Sequence, residues 1–213
     1  MKRLSALLLF FVALIAAAPA VSAQFRYAPI VGVTYTDLKF KQDIFPVSSL
    51  VGGQGGIQAE LMFPGIGFGM DFGLIYNMIG AKCDIGTREI WSSEGYRNSD
   101  VRLHTLDIPF HLRFKWTRMN GFEDYLAPFV YGGPDFTLSV GHSKIKGNPG
   151  APKVFNYPTG ELGLSCGGGF EVLRRWQVSV QYTWGMTYII KTSQLENISA
   201  RNRQWAVRVA YMF

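Results

Sequence analysis

The chain has 213 residues, of which 48% are apolar, 15% aromatic and only 17% charged, a composition that excludes a disordered tail and fits one or two domains. Beyond residue 23 no apolar run approaches the roughly 18 to 20 residues that a membrane-crossing helix needs, so a helical membrane bundle is excluded. The 21 Lys+Arg outnumber 15 Asp+Glu, but Lys2 and Arg3 belong to a leader; the remaining 19 against 15, with no basic run, give no footprint for a nucleic acid.

The first 23 residues carry a positive start (Lys2, Arg3), an apolar stretch from Leu7 to Ala18 and the small-residue exit Val21-Ser22-Ala23. This pattern reads as a cleaved secretory signal, leaving one domain from Gln24 to Phe213. Short strand candidates follow near Pro29 to Leu38 and Gly55 to Phe63. In the third, Phe68, Met70, Phe72, Leu74, Tyr76 and Met78 alternate with Gly67, Gly69, Asp71, Gly73 and Asn77. The fourth sets Leu106, Ile108, Phe110, Leu112, Phe114 and Trp116 against Asp107, Pro109, His111, Arg113 and Lys115. A fifth lies near Ala127 to Val140. The sixth opposes Leu162, Leu164, Cys166, Phe170 and Val172 to Glu161, Ser165 and Glu171. The seventh is the clearest: Trp176, Val178, Val180, Tyr182, Trp184, Met186 and Tyr188 alternate with small or polar residues. The eighth places Trp205, Val207, Val209, Tyr211 and Phe213 on one face and Arg208 on the other. Period two throughout means β-strands with two unlike faces.

The connections alternate in length: long over Lys39 to Gln54, short at Pro64-Gly65, long over Gly80 to Val101, moderate over Thr117 to Asp124, long over Gly141 to Pro158, very short at Leu173-Arg174, and long over Ile189 to Asn202. Short turns at one end and long loops at the other are the signature of an up-and-down barrel in an outer membrane. The faces say which way it is turned. An eight-stranded barrel has a lumen just wide enough for side chains, too narrow for this much aromatic bulk. Turned outward, the aromatics meet lipid, with Trp116, Trp176, Trp184, Tyr188 and Trp205 forming interfacial girdles, and the charges line the lumen. The fold expected is therefore all-β: an eight-stranded antiparallel transmembrane barrel, closed because hydrocarbon leaves an open sheet edge unsatisfied.

The segments LDIPFHLRFKW, LAPFVYGGPDFTLSVG, GELGLSCGGGFEV, RWQVSVQYTWGMTYI and RQWAVRVAYMF resemble the PorT-like outer-membrane β-barrel proteins of Bacteroidetes, which are OmpA-like eight-stranded barrels. The likeness covers most of Arg102 to Phe213. It implies an outer-membrane location, an accessory role alongside envelope or secretion-system proteins, and recognition of the terminal aromatics, Tyr211 and Phe213, by the barrel-assembly machinery.

The expected lumenal network comprises Glu60, Asp71, Asp107, His111, Arg113, Lys115, Asp135, Glu161, Glu171 and Arg208. Six acids against three Lys/Arg make an acidic lumen, and burial forces pairing. A packed plug of ion pairs is preferred to an open pore, because eight strands leave room mainly for side chains. Asp107 and His111 share a face, but four strand residues separate them by about 13 Å, outside hydrogen-bond reach. No serine faces a histidine, so no catalytic residue is assigned. Gly167-Gly168-Gly169 and the Gly65, Gly67, Gly69 set lack the following helix that a phosphate loop needs and read as curvature or close approach. Cys83, past the end of the third strand, and Cys166, on the lipid face of the sixth, lie on non-neighbouring strands and are not expected to bridge; neither metal nor cofactor is expected. Lys144, Lys146 and Lys153 read as a solvated loop, with Phe155 and Tyr157 as contact aromatics. The expected partners are outer-membrane lipid, the assembly machinery and envelope proteins, with no nucleic acid. The role expected is structural or interactive, a narrow solute channel and a rim enzyme acting on lipid being the alternatives.

Overall fold

Alternation this regular folds into one closed sheet. A computed structural model describes residues 24–41, 46–65, 67–87, 89–93, 95, 97, 99–143, 148, 155–192 and 199–213. Residues 1–23, where the signal is expected, and Lys144, Lys146 and Lys153 lie outside the described residues, as does the side chain of Phe155. The strands are β1 (Gln24–Phe40), β2 (Val47–Met62), β3 (Phe68–Cys83), β4 (Ser99–Lys115), β5 (Leu126–His142), β6 (Phe155–Asn156), β7 (Gly160–Val172), β8 (Trp176–Gly185), β9 (Ile190–Thr192) and β10 (Ser199–Tyr211).

Eight of them, β1, β2, β3, β4, β5, β7, β8 and β10, pair antiparallel with their neighbours. The pairing of β1 with β10, from Ile30 opposite Ala210 to Phe40 opposite Ala200, closes the barrel. β9 and β6 extend the sheet from the far end of β10. The start of β1 and the C-terminus lie together: Phe213 N–H donates to the Tyr27 carbonyl at 2.9 Å and the two rings stack at 5.5 Å. They share that end with the turns at residues 63–67, 116–125 and 173–175, which the loop-length rule places in the periplasm.

Most strands run past their sequence patterns and shorten the expected loops, whereas β8 ends at Gly185, short of the Tyr188 that the alternation reached. The first external connection is not the long stretch from Lys39 to Gln54, because β2 already begins at Val47 and continues through a bulge between Ser49 and Gln54. Likewise Cys83 is the last residue of β3, turned inward and buried, rather than part of the following loop. In the tight β7–β8 turn, Leu173 and Arg174 both take left-handed backbone angles, with φ of 52° and 58°. Two successive left-handed residues are what a tight hairpin needs to match the strand twist.

The outer face of β1 carries Phe25, Tyr27, Pro29, Val31, Val33 and Tyr35, all exposed, and then changes to Asp37 and Lys39. Ten residue steps at about 3.3 Å, tilted by about 40°, give an apolar band about 25 Å tall, the height of a barrel's lipid belt. Trp184 (38% exposed) and Val207 (52%) face outward, while Arg208 (6%) and Gln181 (2%) face inward. Above the band the polarity of the two faces reverses. Leu38, Ile79, Ala81, Cys83, Val101, Leu103, Ile189, Ile190 and Ala200 turn inward into a dry cluster, with Phe40, Val47 and Tyr157 packed against it. The external end is thus capped by an apolar core, while the wall below it encloses charges.

Candidate functional site

The described side chains with unusual chemistry converge in the lumen, because alternation points every second residue of eight strands at one axis. Nearest the periplasm, Glu60 is fully buried between three cations. Its Oε1 accepts from Arg26 Nη2 at 2.5 Å and Lys115 Nζ at 2.7 Å, and its Oε2 from Arg113 Nη1 at 2.7 Å and Gln177 Nε2 at 2.8 Å. Glu171 Oε2 accepts from Arg26 at 2.7 Å, Lys115 at 2.8 Å and Gln177 at 2.7 Å. Arg113 gives its Nε to Asp71 at 2.7 Å, and its guanidinium lies 4.2 Å from the Phe129 ring centre. Three acids and three bases from β1, β2, β3, β4 and β7 cancel one another in the lower lumen. Only such mutual pairing offsets the desolvation of buried ions.

Arg26 did not figure in the sequence reading, although Phe25, Tyr27 and Val31 facing lipid would have placed it inward. With it the inward count is six acids to four Lys/Arg, and the excess of acid is confined to the upper half. There His111 Nε2 lies 2.7 Å from Asp135 Oδ1, and Ser165 Oγ donates to the other Asp135 oxygen. Ser165 is 2.8 Å from Thr183 Oγ1. Asp107 accepts from Asn77 Nδ2 at 2.8 Å and Thr105 Oγ1 at 3.1 Å. Arg208 reaches Gln54 at 3.4 Å. Asp107, Asp135, Glu161, Gln181, Asn202 and Arg208 help line a chamber of about 10 Å³, the size of a single water. Among the described residues Glu161 Oε1, Gln181 Oε1, Asn202 Oδ1 and Arg208 Nε have no partner within the protein, and one water in that chamber is the economical way to satisfy them.

The chain of contacts Ser165–Asp135–His111 has the carboxylate in the middle, whereas nucleophilic catalysis needs the imidazole between serine and acid. His104 is engaged on the outer face, where its Nδ1 lies 2.6 Å from the Tyr76 hydroxyl, and His142 stacks on Tyr157 at 4.2 Å. Asp107 and His111 are not brought together. Among the described residues no group of three His, Cys, Asp or Glu is arranged to hold a metal ion.

Not every aromatic faces lipid. Phe129 and Tyr131 turn inward and are buried, flanking Arg113 and His111. The glycine run makes this possible: a Cβ at Gly167 would sit 2.7 Å from the Tyr131 ring, and one at Gly169 would sit 2.0 Å from the Val178 carbonyl oxygen. Trp116, Trp176, Trp184 and Trp205 are exposed on the outer wall. Tyr182 packs between Trp184 and Trp205 at the upper edge of the band, and Trp176 against Tyr211 at the lower edge. Tyr188 stands above the band, beyond the end of β8, with the Arg201 guanidinium 5.0 Å from its ring centre; hydrogen bonds to Ser199 and Arg201 hold its phenol below the usual range. In the external cap, burial pushes the Tyr157 phenol and the Cys83 thiol each up to about 12. Cys83 and the exposed Cys166 are both free.

The lumen opens toward the periplasm in a vestibule of about 370 Å³ whose lining includes Arg26, Lys115, Glu123, Glu171 and Arg174, and the charge network forms its roof. Going outward, the lumen narrows to the single-water chamber and ends at the apolar cap.

No functionally curated protein matches the sequence. Among solved structures the outer membrane protein OprG from Pseudomonas aeruginosa is similar with a TM-score of 0.51 and 11% identity, over 90% of this chain and 97% of that one. Neisserial surface protein A gives 0.44 and 12%, over 86% and 96%. Ail of Yersinia pestis, in complex with the heparin analogue sucrose octasulfate, gives 0.44 and 11%, over 89% and 99%. The family model described as outer membrane protein beta-barrel domain matches residues 6–213, and it is to this family of outer-membrane barrels that the chain belongs.

Proposed function

We propose that the protein is a closed, non-catalytic barrel whose role is structural and interactive, accessory to other envelope proteins and, in keeping with the PorT-like character of its strands from Arg102 onward, to protein export. The observation that carries this reading is the filling of the lumen. Six ionic side chains locked together by bonds of 2.5 to 2.8 Å, with an apolar cap above them, fill the described lumen at two levels. A conduit would leave its lining charges solvated, whereas Glu60 has no exposed surface. An enzyme acting on lipid at the rim needs a nucleophile beside a general base, and the buried Ser165 meets a carboxylate instead. What the protein offers its surroundings is then its outer wall and its loops.

Two measurements test this together. Purified protein reconstituted in planar bilayers passes no ions at high protein load, and crosslinking in intact cells captures envelope proteins at the external loops. Steady single-channel conductance, or a chain that always purifies alone from gentle detergent and crosslinks to nothing, refutes the reading.

A further inference from the structure

Immediately above the apolar band the outer wall carries cations on four of its strands, most densely on two adjacent ones. Lys39 and Lys41 lie at the end of β1, Lys82 on β3, Arg102 on β4, and Arg201 and Arg203 on β10. Asp37, opposite Arg203 in register, and Asp100, which pairs with Arg102 at 3.2 Å, are among the acids beside them. The described outward positions of β2, β5, β7 and β8 carry no Lys or Arg. Lys82 and Arg102 stand two and three strands round from β1, beside Asp84 and Asp100. The uncompensated charge is on the neighbouring strands β10 and β1, where Lys39, Lys41, Arg201 and Arg203 meet Asp37 alone among the described residues, a surplus of three on one face of the barrel.

Its height is as specific as its charge. Tyr35 and Trp205 are partners in register and mark the last outward apolar level on β1 and β10. The Asp37–Arg203 and Lys39–Arg201 pairs lie two and four residues above it, about 5 and 10 Å higher after tilt. That is the depth of headgroups, not of solvent beyond them. Lys39, Lys41, Lys82 and Arg201 are exposed, and among the described residues no ion pair ties the three lysines. Guanidinium groups grip phosphate through paired hydrogen bonds and ammonium groups act as point charges.

We propose that this face binds the phosphate groups of a phosphorylated glycolipid in the outer leaflet, the acyl chains lying against the aliphatic wall of β1 and β10 beneath it. The assignment is independent of whether the lumen conducts. It gives the barrel a preferred lipid neighbour on one side and leaves β5, β7 and β8 free for other contacts.

The test uses the full-length protein in mild detergent, with phosphorylated lipid A as the probe and its enzymatically dephosphorylated form as the control, bound species being counted by native mass spectrometry. Wild-type protein retains the phosphorylated probe and binds the dephosphorylated one far more weakly. K39Q/R201Q/R203Q loses about a hundredfold in affinity for the phosphorylated form, at about tenfold or less per cation near a membrane surface, and R175Q at the periplasmic turn binds as wild type does. Heat-dependent gel mobility verifies that each variant is folded; should the triple variant fail to fold, the comparison of the two probes on the wild type still decides. Equal binding of both probes, undiminished binding by the folded triple variant, or capture of an acidic protein by these cations in place of glycolipid overturns the proposal.

Discussion

Removing the positive charge from Arg113 while keeping its bulk tests whether the lumenal network holds the barrel together. Arg113→Met still packs against Phe129, but it takes Nε from Asp71 and Nη1 from Glu60 and Gln177. The loss falls unevenly. Glu60 keeps Arg26 at 2.5 Å and Lys115 at 2.7 Å, whereas among the described residues Asp71 has no other ion-pair partner and its Oδ1 is already without a hydrogen bond. Breaking a buried pair by removing one partner costs about 3–5 kcal/mol, because an uncompensated charge stays in a dry site; losing the cation over an aromatic face adds about 0.5–2 kcal/mol. Asp71→Asn in the same chain removes the stranded charge, so the double variant recovers most of the loss and the two substitutions are non-additive by about 2 kcal/mol or more. The assay is reversible urea unfolding from lipid vesicles, followed by the fluorescence of Trp176, Trp184 and Trp205 at the lipid face. If Arg113→Met lies within about 1 kcal/mol of wild type, or the double variant loses as much as the two single variants summed, the network is not what stabilises the lumen.

Three further outcomes follow from the same geometry. Val31→Arg, on the outer face near the middle of the apolar band, costs about 2–4 kcal/mol in vesicles by the same unfolding assay, whereas Lys39→Glu two turns of the pleat above the band costs less than about 0.5 kcal/mol. Leu173→Asn, at φ 52° in the β7–β8 turn, stabilises by roughly 0.5–1 kcal/mol, because asparagine adopts the left-handed region more readily than leucine. Cys83, buried in the cap with its thiol pushed up to about 12, stays unmodified by maleimide at pH 8 until the protein is unfolded, whereupon it reacts, as peptide mass mapping reads out.

Period-two alternation made the sheet legible, and the residues that obscured it have identifiable reasons. In β2, Gly53 and Gly55 leave no outward bulk between Val51 and Ile57 to mark the lipid face, so the strand looked like loop as far as Gln54. Starting the first strand at Pro29 cut off the turn of alternation that places Arg26 inward, and with it the base that brings the lower lumen to neutrality. Cys83 looked like loop because above the membrane the apolar residues change sides, so Ile79, Ala81 and Cys83 continue the strand with the opposite polarity. Phe129 and Tyr131 break the aromatic-outward rule to supply Arg113 and His111 with ring faces, and the signal for that was the room left by Gly167. The partners within the network were not legible at all. Glu60, Lys115 and Glu171 sit on β2, β4 and β7, strands that are not neighbours, and their meeting depends on barrel closure and shear rather than on any local spacing.

The exchange of polarity along a single strand also fixes where the barrel rides in the membrane. In β1 the inward series Arg26, Ala28, Ile30, Gly32, Thr34, Thr36, which mixes polar and apolar residues, gives way to Leu38 and Phe40 alone, and the outward series Phe25 to Tyr35 gives way to Asp37 and Lys39, with no break in hydrogen bonding. The backbone does not change at that level; the solvent does. Hydrocarbon outside requires polar groups to turn in, and water outside requires a dry interior. Sinking the barrel by two residues would bring Asp37 and Arg203 down to the edge of the hydrocarbon, where a basic group costs about 0–1 kcal/mol, a cost that rises toward about 2–4 kcal/mol at the midplane on deeper immersion. Raising it by the same step would bare Phe25 and Phe213 to water, at about 1.5–3 kcal/mol for each side chain. Opposed gradients of this size hold the barrel to within a few ångströms, and the basic face on β10 and β1 is therefore kept at headgroup depth by the same alternation that closes the lumen.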